Sequence, residues 1–253
     1  MLKISIITVV RNNQNTIGEA IDSVLNQTYS NIEYIVIDGK STDGTIAVIE
    51  SYGSKISKFL SEKDNGLYDA MNKGLMLATG DVIGFINADD MLNDKYCIEQ
   101  IVNTFESTTT DVVYGDKIYI NPLDSKKVVR FWKAGPFDLK NYKKGWMTPH
   151  LSTYIKKSLY DKHGGFRNDF KIAADYELML RFIYKNKAKV KYLPITIAKM
   201  RAGGLSNGSL KNIAISNFEV YKSWKVNGMN ISPFIIIAKP LRKLVQLFKK
   251  YPK

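Results

Sequence analysis

Gly80-Asp81-Val82-Ile83-Gly84-Phe85-Ile86-Asn87-Ala88-Asp89-Asp90 passes from apolar to acidic within a few residues. Val82 to Ile86 read as a strand buried on both faces, as strands are in α/β sheets covered by helices. In open α/β sheets, ligands bind in the crevice beyond the carboxyl ends of the strands. Asp89 and Asp90 stand at such an end. Their hard oxygens suit Mg2+ or Mn2+, which can clamp a diphosphate. Taken alone, the pair serves equally well as a cap for the next helix.

The residues upstream repeat one unit. Lys3 to Val10 is a β-branched, apolar strand, and Thr16 to Gln27 carries Ile17, Ala20, Ile21, Val24 and Leu25 at helical spacing. Glu33 to Asp38 is a second buried strand, followed by a helix over Thr45 to Tyr52 capped by Thr42 or Asp43. Lys58 to Glu62, Leu67 to Thr79 and Asp81 to Asn87 read as strand, helix and strand. This alternation predicts an α/β fold with a mostly parallel sheet and helices on both faces. Beyond it, Cys97 to Phe105 is a helix, Val112 to Ile120 a strand, and Asn121 to Gly145 less regular. Ser152 to Ile155 is a strand, Asp175 to Tyr184 a helix, Lys189 to Met200 a strand with Pro194 at an edge or bulge, and Ser209 to Val226 a helix. The division predicted is 1–208, with halves 1–110 and 111–208, and a helical extension over 209–253.

The chain has 253 residues, 45% of them hydrophobic, enough for a large core. The single Cys97 allows no internal disulfide, which fits a reducing compartment. No secretory signal and no run of 18 apolar residues are expected from the pattern. Charge is uneven: residues 1–110 carry net −7 and residues 111–253 net +20. The basic half should meet an anion. Nucleic acid is disfavoured, because no nucleic-acid motif occurs. Residues 231–253 hold six basic side chains and no acid, with Leu241, Leu244, Val245 and Phe248 at helical spacing. That pattern fits an amphipathic helix lying on anionic lipid, although a helix packed on the body would read alike.

Loops at the strand ends hold Thr8, Val10 and Arg11, then Asp38 and Asp43, then Asp64-Asn65-Gly66, then Asn87 to Asp90. The glycine-rich dinucleotide and Walker patterns are missing. The set, in this order, resembles the family 2 glycosyltransferases of GT-A fold, over about residues 3 to 207. Ser5 to Asn12, Ser23 to Tyr29 and Ile37 to Thr45 look like the family's opening strand, first helix end and second strand with its loop. Asp64 to Gly74, including Asp69 and Asn72, resembles the donor-binding segment. Asn87-Ala88-Asp89-Asp90 falls at the DxD-type motif, and Ala173-Ala174-Asp175-Tyr176-Glu177 at the catalytic Glu-Asp motif. Enzymes building bacterial O-antigen, capsule or exopolysaccharide are most similar. Three departures stand out: Gly39 where many members have a second aspartate, Asn87 at the first acidic position, and Ala174 in place of Glu.

The resemblance implies an inverting transfer from a nucleotide sugar, a UDP-hexose or UDP-N-acetylhexosamine on family frequency, to a free or lipid-diphosphate-linked saccharide. It implies Asp175 as general base, against a bland reading as a helix cap. Asp89 and Asp90 would hold the metal, with Asn87 and Ala88 beside the donor. Trp146 and His150 would face the acceptor, and Arg201 a phosphate. The expected place is the cytoplasm, peripheral on the inner face of the bacterial membrane. Competing readings are a sugar-phosphate nucleotidyltransferase, which lacks its glycine-rich loop here, and a non-catalytic saccharide-binding scaffold.

Overall fold

The computed structural model describes residues 1–203, 209–233 and 235–236. Strands β1 (Ile4–Val10), β2 (Ile32–Asp38), β3 (Lys58–Ser61) and β4 (Val82–Phe85) alternate with helices α1 (Ile17–Leu25), α2 (Thr45–Glu50) and α3 (Leu67–Leu77). The four strands are parallel and lie in the order β3-β2-β1-β4. After β3 the chain crosses back through α3 and lays β4 on the far side of β1. That reversal leaves a crevice between the carboxyl ends of β1 and β4.

The period of two along the strands explains why both faces are buried. Ile7, Val9, Ile35 and Ile37 enter one core with Met71 of α3, while Ile4, Ile6, Tyr34 and Val36 enter another with Ile17 and Ile21 of α1. Polar chemistry is therefore displaced to the strand ends.

The second half is mixed. It comprises β5 (Met91–Leu92), α4 (Cys97–Glu106), β6 (Val112–Asn121), β7 (Asp124–Trp132), β8 (Thr153–Lys156), α5 (Lys157–His163), α6 (Ala174–Met179), β9 (Val190–Arg201) and α7 (Leu210–Val226). The sheet continues β4-β8-β6-β9-β5, with β7 added to β6 as an antiparallel hairpin. β8 runs antiparallel to both neighbours, whereas β9 is parallel to β6. The β6–β9 register jumps between Tyr114↔Tyr192 and Asp116↔Thr196, so Pro194 sits in a bulge. A Cβ on Gly84 would lie 2.2 Å from the Tyr154 ring, so β4 can carry only glycine where Tyr154 packs against it.

Within 121–145 lies the strand β7, and the helix α5 was not foreseen. α7 packs on the body: Ser209 caps it by accepting Asn212 N–H, and Val220 and Trp224 are buried in the larger core. Residues 237–253, most of the expected amphipathic tail, lie outside the described residues. Among those described, no helix is long and apolar enough to cross a membrane.

At the amino ends of the parallel strands sits a polar knot. Glu33 on β2 is 4% exposed and accepts from Ser5 Oγ at 2.6 Å and from Thr79 N–H and Oγ1, both at 2.7 Å. Lys58 Nζ at 2.9 Å and Lys3 Nζ at 3.1 Å complete the shell. These hydrogen bonds overcome the effect of burial and hold the Glu33 carboxyl well below the usual carboxylate range. Its stabilisation is therefore full above the unfolded value, about 4.3, and fades as pH falls towards the lower folded value. We predict that Glu33→Gln lowers stability at pH 7 by about 2–4 kcal/mol. The gap between variant and wild type should narrow in urea titrations repeated below pH 4, where the unfolded chain takes up a proton that the folded carboxylate refuses; a gap independent of pH would contradict the assignment.

Candidate active site

A cavity of about 670 Å³ opens at the reversal point between β1 and β4. Val10 and Arg11 from the end of β1, Tyr68 from α3, and Asn87, Ala88 and Asp89 from the end of β4 form one side. Lys117, Tyr119, Arg130 and Trp132 of the β6–β7 hairpin, with Trp146, His150 and Asp175, form the other.

The acidic segment is braced from behind. Asp90 is 1% exposed and accepts Arg201 N–H and Asn87 Nδ2–H, each at 3.0 Å. Burial, together with the adjacent Asp89 charge, pushes its carboxyl upward. Arg201 donates Nη1–H to the Asp89 carbonyl at 2.6 Å and pairs through Nη2 with Glu19 at 2.8 Å. The guanidinium expected on a phosphate is thus occupied in fixing the acidic loop. Asp90 is likewise removed from the cavity wall, whereas the Asp89 side chain lines it. Neither aspartate caps a helix, because β5 intervenes.

Asp175 lies in the first turn of α6 and lines the cavity. Its Oδ1 accepts its neighbour Tyr176 N–H at 2.8 Å; α6 begins one residue earlier, and its N-cap is Ala173. Its negative charge reaches His150 and Tyr68. His150 is half-buried, its ring forms a triangle with those of Phe85 and Phe166, and its buried Nε2 has no partner among the described residues. Burial lowers its pKa, so the neutral imidazole is favoured. Trp146 is anchored against Tyr114, Phe137 and Tyr142 while still lining the cavity. Ala174 is fully buried, a setting in which a glutamate would need a partner.

Several expected donor residues serve the loops instead. Thr8 is fully buried, its hydroxyl bonded to Tyr34 OH at 3.0 Å. Asp38 is fully buried and accepts from Ser41 N–H, Ser41 Oγ and Ser61 Oγ, so its oxygens are taken up by its own loop and the end of β3. Asp64 accepts Gly66 N–H at 2.9 Å, and Asp69 accepts Asn65 N–H at 2.9 Å, which shapes the turn delivering Leu67 and Tyr68 to the cavity. Gly66 takes φ +116° there. Asn72 ties α3 to Phe166, donating to its carbonyl and accepting its N–H, both at 2.8 Å. A Cβ at Gly39 would stand 2.2 Å from the Asp64 carboxylate, so glycine there leaves room for the Asp64 side chain.

The sequence reading missed the hairpin residues Lys117, Tyr119, Arg130 and Trp132. Their signal was the alternation within the Lys117-Ile118-Tyr119 and Arg130-Phe131-Trp132 stretches, which turns one side of each strand to the cavity. It also missed Glu219 on α7, which is 5% exposed and accepts N–H from Lys171, Ile172 and Ala173 at 2.7, 2.9 and 2.8 Å. Trp224 Nε1–H donates to Tyr176 OH at 3.0 Å beside it. α7 therefore fixes the segment that presents Asp175.

A Rossmann-like parallel half joined to a mixed second half, with Asp89 and Asp175 on the wall of the crevice, is a GT-A type of fold. Residues 5–161 match the model for glycosyl transferase family 2, and the chain belongs to that family. A PGL/p-HBAD biosynthesis glycosyltransferase of Mycobacterium tuberculosis is 28% identical over 208 residues, covering 80% of this chain and 78% of that protein. An uncharacterized glycosyltransferase of the same organism is 31% identical over 183 residues, 70% of this chain and 68% of that one. Among solved structures, S. aureus TarS 1–349 in complex with UDP-GlcNAc superposes with TM-score 0.72 at 18% identity, covering 96% of this chain and 73% of that one. The mannosyltransferase PcManGT of Pyrobaculum calidifontis, in complex with GDP-Man and Mn2+, gives 0.68 at 19% identity, covering 97% and 71%. The GT-A fold expected from the motifs is the fold observed.

The brace from α7 is testable without substrate. Glu219→Ala should speed amide exchange at Lys171, Ile172 and Ala173 at least about tenfold and lower stability by about 2–3 kcal/mol, because three buried N–H groups lose a charged acceptor. Unchanged exchange at these amides, read by NMR or mass spectrometry, would contradict it.

Proposed function

We propose that the chain transfers a hexose or N-acetylhexosamine from a UDP-sugar, with inversion, to a saccharide acceptor carried on a lipid diphosphate in bacterial surface-polysaccharide synthesis. The observation that carries this reading is the presence of Asp89 and Asp175 on the wall of one cavity at the sheet's reversal point. The acceptor hydroxyl attacks the anomeric carbon as the bond to the diphosphate oxygen breaks. Asp175 accepts the hydroxyl proton, and the nucleoside diphosphate departs. His150 lines the same cavity within reach of the Asp175 charge, and burial disfavours its protonated form.

Among the described residues no cluster of three acidic, His or Cys ligands occurs. The donor set still fits Mg2+ or Mn2+ of the kind that takes one or two carboxylates and completes its shell with phosphate oxygens and water. Asp89 would be the direct ligand, with the buried Asp90 carboxyl behind it fixing the loop. When bound, the ion supplies electrostatic stabilisation of the departing diphosphate. Arg201 keeps Asp89 in place by gripping its carbonyl. The basic, apolar pattern of 231–253 supports attachment to anionic lipid at the inner membrane face.

Asp89→Asn should abolish the extra thermal stabilisation that Mn2+ gives in a screen of UDP-, GDP- and dTDP-sugars. Equal stabilisation in chelator would sink the metal assignment. Asp175→Asn should lower kcat by about 10²–10⁴-fold with donor affinity unchanged. Retained anomeric configuration in the product, or donor affinity falling in step with kcat, would contradict the single displacement.

A further inference from the structure

Lys117 is 6% exposed, yet it lines the cavity. Burying an ammonium group is costly unless it is paired. Among the described residues no carboxylate lies within ion-pair distance of it. Its Nζ has one polar neighbour at hydrogen-bond range, the Met200 sulfur at 3.4 Å, and a thioether is a weak acceptor. Two rings hold it, Trp132 at 4.7 Å and Tyr119 at 5.1 Å from their centroids.

The surrounding charges leave it available. Asp116, next on β6, accepts from Ala134 N–H at 2.7 Å and Tyr192 OH at 2.8 Å. Asp90 feels the Lys117 charge from beyond contact, and its oxygens are bonded to Arg201 N–H and Asn87. Asp89 and Asp175 share the cavity but neither pairs with it. Arg130 stacks on the Tyr119 ring at 4.5 Å and lines the same wall. Two cations thus flank one aromatic ring on the face of the hairpin that meets the cavity.

We infer, on the transferase reading above, that this wall is an anion site for a phosphate carried by the acceptor, distinct from the place of the donor's diphosphate. Lys117 supplies a point charge with donors to spare, and Arg130 beside it adds a second positive charge to the wall. The wall belongs to the basic half of the chain. The carboxylate that would neutralise the donor's diphosphate through a metal, Asp89, comes from the acidic half. A phosphate at Lys117 would hold a phosphorylated or lipid-diphosphate-linked saccharide with its free hydroxyl towards Asp175. Neutral saccharides would lack this contact.

The test uses inorganic phosphate as probe, titrated calorimetrically into the full chain with Mg2+, with and without saturating UDP. Phosphate should bind in the presence of UDP, and Lys117→Met should weaken it at least about tenfold while changing UDP affinity less than about threefold. Methionine has similar reach and suits the contacts with Tyr119, Trp132 and Met200. An independent readout on wild type is acetylation of Lys117, which phosphate should slow while UDP is bound. Displacement of phosphate by UDP, or a parallel loss of UDP affinity in the variant, would assign Lys117 to the donor's diphosphate and overturn the inference. So would the absence of phosphate binding, equal binding to both proteins, or acetylation that phosphate leaves unchanged. Failure of every nucleotide sugar to bind, with phosphate binding still dependent on Lys117, would defeat the transferase reading and leave an anion site without it.

Discussion

Burial of β1, β2 and β4 on both faces is the constraint from which the rest follows. Strands packed between two apolar cores can carry charge only where they end. At the amino ends, Glu33 gathers Ser5, Thr79, Lys3 and Lys58 into a satisfied knot that ties the four parallel strands together. At the carboxyl ends, the reversal of strand order after β3 leaves the polar loops facing open space. One end is closed by hydrogen bonds; the other remains open for ligand.

The open end is held rigid by residues that never face it. Arg201 arrives on β9, more than a hundred positions from Asp89, and joins the backbone of the acidic loop to α1 through Glu19. Glu219 does the same for the segment before Asp175. A cavity wall whose carboxylates are carried on clamped backbone positions substrate better than one on free loops.

The sequence made the first half legible because strand and helix periods alternate without interruption from Lys3 to Asn87. It also placed Asn87-Ala88-Asp89-Asp90 at a strand end and Asp175 near a helix start. It could not say which way a polar side chain turns. Thr8, Asp38 and Arg201 are of the right type in the right loops, but their partners Tyr34, Ser61 and Glu19 come from elsewhere in the chain. Lys117 was hidden by the short, antiparallel elements of the second half, where pairing and not local pattern sets the face. Glu219 was hidden by distance, since the loop it holds lies 46 to 48 positions earlier.

The brace from α7 has a consequence for biosynthesis. The chain is made from its amino end, and folding begins on the segments already released. Every side chain on the cavity wall from Val9 to Asp175 leaves the ribosome before Glu219. The nascent sheet can therefore assemble with its crevice formed while the Lys171–Ala173 segment still lacks its acceptor. A polypeptide stalled just short of α7 would hold the crevice with an unset site, so competence waits on a helix translated after the cavity wall up to Asp175.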